Sequence, residues 1–104
     1  MAQFDVHLNP IAAARRAYPK VVVLQSALAN AGRDCIVAPL VPKAGYPRTP
    51  GRLTPLVILP DGEFVLMVPG LTGIAAADLG EPVASLDAAR AEILAAIDYL
   101  FFGV

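Results

Sequence analysis

The chain has very little of the chemistry that enzymes use. In 104 residues there is one cysteine, one histidine and no tryptophan, and charged side chains make up only 16%. A lone Cys35 cannot form an internal disulfide, so a reducing, cytoplasmic setting is expected. Cys35 lies in a strand-like run and reads as a small buried hydrophobe, not a reactive thiol. His7 has no serine, cysteine or aspartate at triad spacing, and a lone strand histidine is expected to face solvent. There is no HxxxH, no CxxC and no glycine-rich phosphate loop, so no metal, cofactor or hydrolytic site is expected. Asp61, Glu63 and Asp78 are read as solvated surface acids. No apolar run approaches the roughly 20 residues of a membrane helix; the longest, Ile93 to Val104, is broken by Asp98. Met1 to Asp5 lacks the basic region and apolar stretch of a secretory leader.

What is present is apolar bulk. Hydrophobic residues reach 57% and the mean hydropathy is +0.62. One domain of this length buries one core and leaves apolar surface over. A subunit interface would take up the excess, so a homodimer is expected, with a rich core and no partner as the other reading. Charge is unevenly divided. Residues 1–52 carry seven bases and two acids, and residues 53–104 carry one base and seven acids. The basic half suits an acidic partner; solvated loops account for it equally well.

Gln3 to Leu8 alternates, with Phe4, Val6 and Leu8 on one face, and predicts a half-buried strand. Lys20 to Gln25 is rich in β-branched residues and predicts a buried strand. Ser26 to Gly32 is turn-like. Asp34 to Val41 predicts a third strand, in which Pro39 signals an edge or a bulge. Pro42 to Arg52, with three prolines and two glycines, is a loop without a core of its own. Leu53 to Leu59, the turn Pro60-Asp61-Gly62 and Glu63 to Val68 form a hairpin. Leu71 to Leu79 is ambiguous: its alanines favour helix, but Gly73 and the short length oppose one. Ser85 is a good N-cap for a helix from Leu86 to Phe101, with Asp87 in its first turn and Gly103 as its stop. Leu86, Ala89, Ile93, Ile97, Leu100 and Phe101 share its apolar face. The fold class expected is mainly β with one C-terminal helix, a small barrel or twisted sheet in a single domain.

The tail Phe101-Phe102-Gly103-Val104 follows that helix directly. Helical spacing places Phe101 on the buried face and turns Phe102 about 100° away from it. Phe102 is then either an anchor for a partner's pocket or a residue packed onto its own subunit or a dimer mate.

Several segments resemble the CcdB family of plasmid and chromosomal toxins. Gln3-Phe4-Asp5-Val6 is similar to the family's start, Leu24-Gln25-Ser26 to its second strand, and Ile36-Val37-Ala38-Pro39-Leu40 to its third. Leu79-Gly80-Glu81-Pro82-Val83-Ala84-Ser85-Leu86 resembles its helix entry. Phe101-Phe102-Gly103-Val104 resembles its Phe-Trp-Gly-Ile ending. The resemblance spans essentially the whole chain, least closely over Pro42 to Arg52. It implies an SH3-like barrel in a two-fold homodimer whose C-termini lie close together. It also implies a toxin that binds the DNA gyrase A subunit and traps the enzyme with its DNA cut. The partners implied are gyrase and a CcdA-type antitoxin with a disordered tail; no direct nucleic-acid or membrane contact is expected. Carried onto this chain, the gyrase-binding group is Ser26, Leu28, Ala29, Asp98, Phe102, Gly103 and Val104. From charge, Arg15, Arg16, Lys43, Arg48 and Arg52 suit an acidic antitoxin segment. The chain departs from the family pattern at Phe102 for tryptophan, Asp98 for asparagine, Ala29 for a bulky aliphatic and Val104 for isoleucine. These changes keep a second reading open, a CcdB-like protein that retains antitoxin binding without gyrase poisoning. An endoribonuclease of the MazF or Kid type, which shares the barrel, is the third reading.

Overall fold

The computed structural model describes residues 2–29 and 32–104; part of the turn-like run Ser26 to Gly32 therefore lies outside the described residues. Among the described residues seven strands form one antiparallel sheet that curls into a nearly closed barrel, capped by one helix. The strands are β1 (Asp5–Leu8), β2 (Lys20–Val23), β3 (Asp34–Pro42), β4 (Leu56–Leu59), β5 (Gly62–Leu66), β6 (Thr72–Ala75) and β7 (Ala84–Ser85), and the helix α1 is Arg90–Phe102. The spatial order is β4-β5-β3-β2-β1-β7, with β6 also on β3.

The central strand is β3. On one side it pairs with β2, from Val23↔Val37 to Lys20↔Leu40. On the other it pairs first with β6, over Asp34 to Val37, and then with β5, over Leu40 to Pro42. Pro39 is therefore interior to the sheet, not at an edge as its type suggests. The Pro39 carbonyl accepts from the Met67 N–H at 2.9 Å, on the β5 side. In an antiparallel ladder the N and C=O of one residue face the same way. The Pro39 nitrogen thus points at the gap where β6 hands over to β5, and no ladder donor is missed. Gly70 closes over the same ring: a Cβ there would lie 3.3 Å from Pro39 Cγ.

The ambiguous run Leu71 to Leu79 resolves as strand β6 followed by a 3-10 turn, Ala76–Asp78. The free side of Asp34 to Val37 supplies a ladder that local alanine propensity does not outweigh. The predicted hairpin forms as β4 and β5, with Leu59↔Gly62 closing a two-residue turn. Gly62 has φ +134, a region that favours glycine.

Two cores result. The larger lies inside the barrel and includes Phe4, Val6, Val22, Leu40, Leu66 and Ile93. The smaller lies on the outer face of β2 and β3, where Val21, Val23, Cys35 and Val37 are covered by Ile74, Ala76 and Leu79. Burial pushes the Cys35 thiol pKa up. This second layer corrects the expectation for His7. Its side chain is 1% exposed, not solvent-facing, and Nδ1 lies 2.9 Å from the Gly80 carbonyl oxygen. Among the described residues Nε2 has no hydrogen-bond partner. The strand β1 is buried on both faces because the segment after β6 folds back over it. Leu8, although in register with Val6, is 55% exposed where the strand leaves the barrel. Phe4 has φ +68 and is completely buried, its place in the core holding a conformation that a bulky residue rarely adopts.

The helix begins later than Ser85 predicts. The Ser85 Oγ accepts from the Asp87 N–H at 3.2 Å, but Asp87 opens a 3-10 turn, Asp87–Ala89, whose N-cap position is Leu86, and regular helix starts at Arg90. The Phe4 carbonyl accepts the Leu86 N–H at 2.8 Å and pins the entry to the first strand.

The hairpin turn is tied to β2 by an ion pair between Lys20 and Asp61. The Lys20 ammonium, as hydrogen-bond donor, holds the Asp61 carboxyl below the usual carboxylate range. Its stabilisation is therefore present above the unfolded carboxylate pKa, about 3.9, and is lost as pH falls through the lower folded value. Urea melts of the wild type and Asp61→Asn at about pH 6 and about pH 3 should show the smaller acid-induced loss in the variant.

Candidate functional site

The helix is held to the barrel by Ile93 and Ala96, both fully buried, with Leu94, Ile97 and Leu100 half-buried beside them. Its last turn runs past the end of the barrel. Gly103 ends it with φ +72, and the Gly103 N–H donates to the Tyr99 carbonyl at 3.0 Å. This is the left-handed cap that glycine supplies without steric cost.

Phe101 lies four residues after Ile97, on the side predicted to be buried, yet it is 60% exposed. The spacing is right, but no barrel wall remains at that height to cover the ring. Phe102 is 74% exposed and Val104 79%, so both aromatics and the terminal aliphatic meet solvent together.

The second part of the surface is the short 3-10 turn Ala27–Ala29. Its conformation is set by the Ser26 Oγ, which accepts the Leu28 N–H at 3.1 Å. Gln25 braces it, with Nε2 donating to the Ala29 carbonyl at 3.0 Å and Oε1 accepting from the Ile36 N–H at 3.3 Å. Leu28 is pushed out to 99% exposure. Between this turn and the helix lies an almost wholly apolar depression of about 430 Å³, bordered by Leu24, Ser26, Ala29, Leu71, Ile97 and Phe101.

Of the predicted gyrase-binding group, Ser26 and Ala29 thus border one depression, and Leu28, between them in the chain, is fully exposed. Asp98 and Phe102, four apart, share an exposed side of the helix, and Gly103 and Val104 continue beyond. The sequence reading missed Phe101 and Gln25 as parts of this surface. The closeness of Phe101 to the chain end, past the last fully buried helix residue, was the available signal; nothing marked Gln25.

The five bases are not one cluster. Arg16 and Arg48 line a groove of about 630 Å³ together with Tyr18, Tyr46, Pro42 and Met67. Lys43 opens the 3-10 turn Lys43–Gly45 at its rim. Arg15 is exposed but tethered, its Nε donating to the Asn9 carbonyl. Arg52 does not line the groove; its guanidinium carbon is 3.9 Å from the Tyr99 ring centroid, a cation–π contact that ties the loop to the helix. Among the described residues no three His, Cys, Asp or Glu side chains stand together as a metal site, and no helix is long and apolar enough to cross a membrane.

The family model for the CcdB protein matches residues 3–103. The chain belongs to the CcdB family. The barrel with one C-terminal helix agrees with the CcdB fold, and membership supports the role of toxin in a toxin–antitoxin pair. No curated protein sequence matches the chain. In this CcdB-family chain the matched segment runs through the helix and includes Phe101, Phe102 and Gly103.

The exposed apolar residues do little for folding if they are held for a partner. Ile93→Ala should lower the unfolding free energy by about 2–5 kcal/mol in urea titrations. Leu28→Ala and Phe101→Ala should each change it by less than about 0.5 kcal/mol.

Proposed function

We propose that this CcdB-family chain is a gyrase poison that acts by binding, with no chemical step of its own. The observation that carries the reading is the exposed aromatic tail: Phe102 and Val104 stand clear of the barrel on a helix whose root is fully buried. A rigid root with an exposed aromatic tip is what an anchor residue needs, because little conformational freedom is lost on docking. Two copies related by a two-fold axis present two such tips to a symmetric target, the gyrase A-subunit dimer. Leu28, Phe101, Phe102 and Val104 are apolar surface that pairing and docking would take out of water. Phe102 offers a π face to a cation on the target, and Ser26, Leu28, Ala29, Asp98 and Gly103 flank it in the proposed contact. Wedged in the opened enzyme, the tail holds the cleaved DNA from resealing.

The antitoxin reading rests on the groove of Arg16 and Arg48. Two guanidinium groups beside two tyrosines suit an acidic, aromatic-tolerant segment that folds on binding. Lys43 at the rim adds to that field, whereas Arg15 and Arg52 contribute only from their tethered positions. A second reading is favoured by Phe102, Asp98 and Ala29, which stand where the family pattern has tryptophan, asparagine and a bulky aliphatic. It is a protein that binds its antitoxin but traps gyrase weakly.

A DNA-cleavage assay with purified gyrase decides between them. Phe102→Ala should weaken trapping by about 2 kcal/mol or more in the concentration required, roughly 30-fold. Phe102→Trp should strengthen it, since tryptophan is the better cation partner. Trapping that survives both Phe102→Ala and removal of Gly103 and Val104 would rule out the tail as the weapon. Sedimentation equilibrium of the wild type checks the dimer.

A further inference from the structure

We propose that the open edge of β4 takes an extended, basic, apolar peptide as an added strand, at a site separate from the tail and from the arginine groove. The strand β4 is one end of the sheet order, and its one ladder is to β5. The two-residue turn makes Leu59↔Gly62 the closing pair, and the Leu66 N–H donates to the Pro55 carbonyl at 3.0 Å. Residues 55, 57 and 59 therefore turn their backbone groups towards β5. Leu56 and Ile58 turn theirs outward, where among the described residues they meet no strand.

Edges of this kind are normally guarded by lysine, proline or a bulge. The run Leu-Val-Ile-Leu has none of these; Pro55 and Pro60 only bound its length. Leu56 is 42% and Ile58 74% exposed. Across from them is a groove of about 270 Å³ whose far bank is Ser85, Leu86, Ala88, Ala89 and Glu92. It lies where the barrel fails to close, between β4 and the two-residue strand β7. A peptide laid along β4 would place alternate side chains in this groove while its backbone met the groups of Leu56 and Ile58.

Charge selects the occupant. Glu92 lines the groove, Glu63 is the cross-strand partner of Ile58, and no lysine or arginine is among the lining residues. A second copy of the chain pairing β4 with β4 would bring two acidic rims together, which is unfavourable. An extended peptide with alternating apolar residues and flanking bases meets both the edge and the rim.

The test uses the full chain and a fluorescein-labelled synthetic peptide, Lys-Val-Thr-Val-Thr-Val-Lys, followed by fluorescence anisotropy and amide exchange. Binding should be saturable and should slow exchange at Leu56 and Ile58. Alternate N-methylation of the peptide, or glutamate for its lysines, should abolish binding. Ile58→Pro removes an outward N–H and the exposed isoleucine side chain while sparing the bonds to β5, and Glu92→Lys reverses the rim; each should weaken binding at least about tenfold. Ile58→Lys, checked by circular dichroism for folding, should do the same. Protein lacking Gly103 and Val104 should bind as the wild type does, so the result stands apart from gyrase poisoning. No saturable binding, binding indifferent to Ile58→Pro and Glu92→Lys, or Ile58→Pro altering only self-association would overturn the proposal.

Discussion

The arrangement of the whole chain depends on β3 being hydrogen-bonded along both sides. Its nine residues serve one partner on one flank and two in succession on the other. The change of partner occurs at Pro39, the one residue of the strand's middle that has no N–H to leave unpaired. From this hub β5 and β4 curl one way, and β2, β1 and β7 the other, until the ends approach across the helix. The gap that remains is a direct result of β7 being only two residues long.

The helix converts that barrel into a presenting device. Ile93 and Ala96 fix its root in the main core, so the last turn projects with little freedom of its own. Local chemistry at the other bank, the Ser26 hydroxyl and the Gln25 amide, holds a three-residue turn in a shape that exposes its leucine. These are small polar devices supporting an apolar surface, a combination more typical of recognition than of core building. The basic groove and the acidic edge are separate surfaces, which matches the division of charge along the chain.

Elements with a strong local signal were legible in the sequence: the valine run of β2, the hairpin around Pro60-Asp61-Gly62, and the helix carrying Ile93 and Ile97. The rest depended on contacts between distant segments. The run that became β6 carries helix-favouring alanines, and only the vacant side of Asp34 to Val37 makes it a strand. His7 was misplaced because burial of β1 on its second face comes from residues some 70 positions later. Pro39 misled because its orientation in the ladder, not its type, decides whether a bond is lost. Phe101 kept the right helical phase and lost its cover, since periodicity reports direction but not where the barrel ends. The tail was legible mainly through its likeness to the CcdB ending, whereas the scattering of Arg15 and Arg52 away from the groove was not encoded in any local pattern.

Cys35 sits in the smaller core beneath Ile74, Ala76 and Leu79, with its thiolate disfavoured by burial. A thiol reagent in solution meets this sulfur only when that covering segment lifts away from the sheet. Because it is the sole cysteine, the rate of its chemical labelling is a built-in clock for the breathing of one layer of the molecule, undisturbed by signals from any other site.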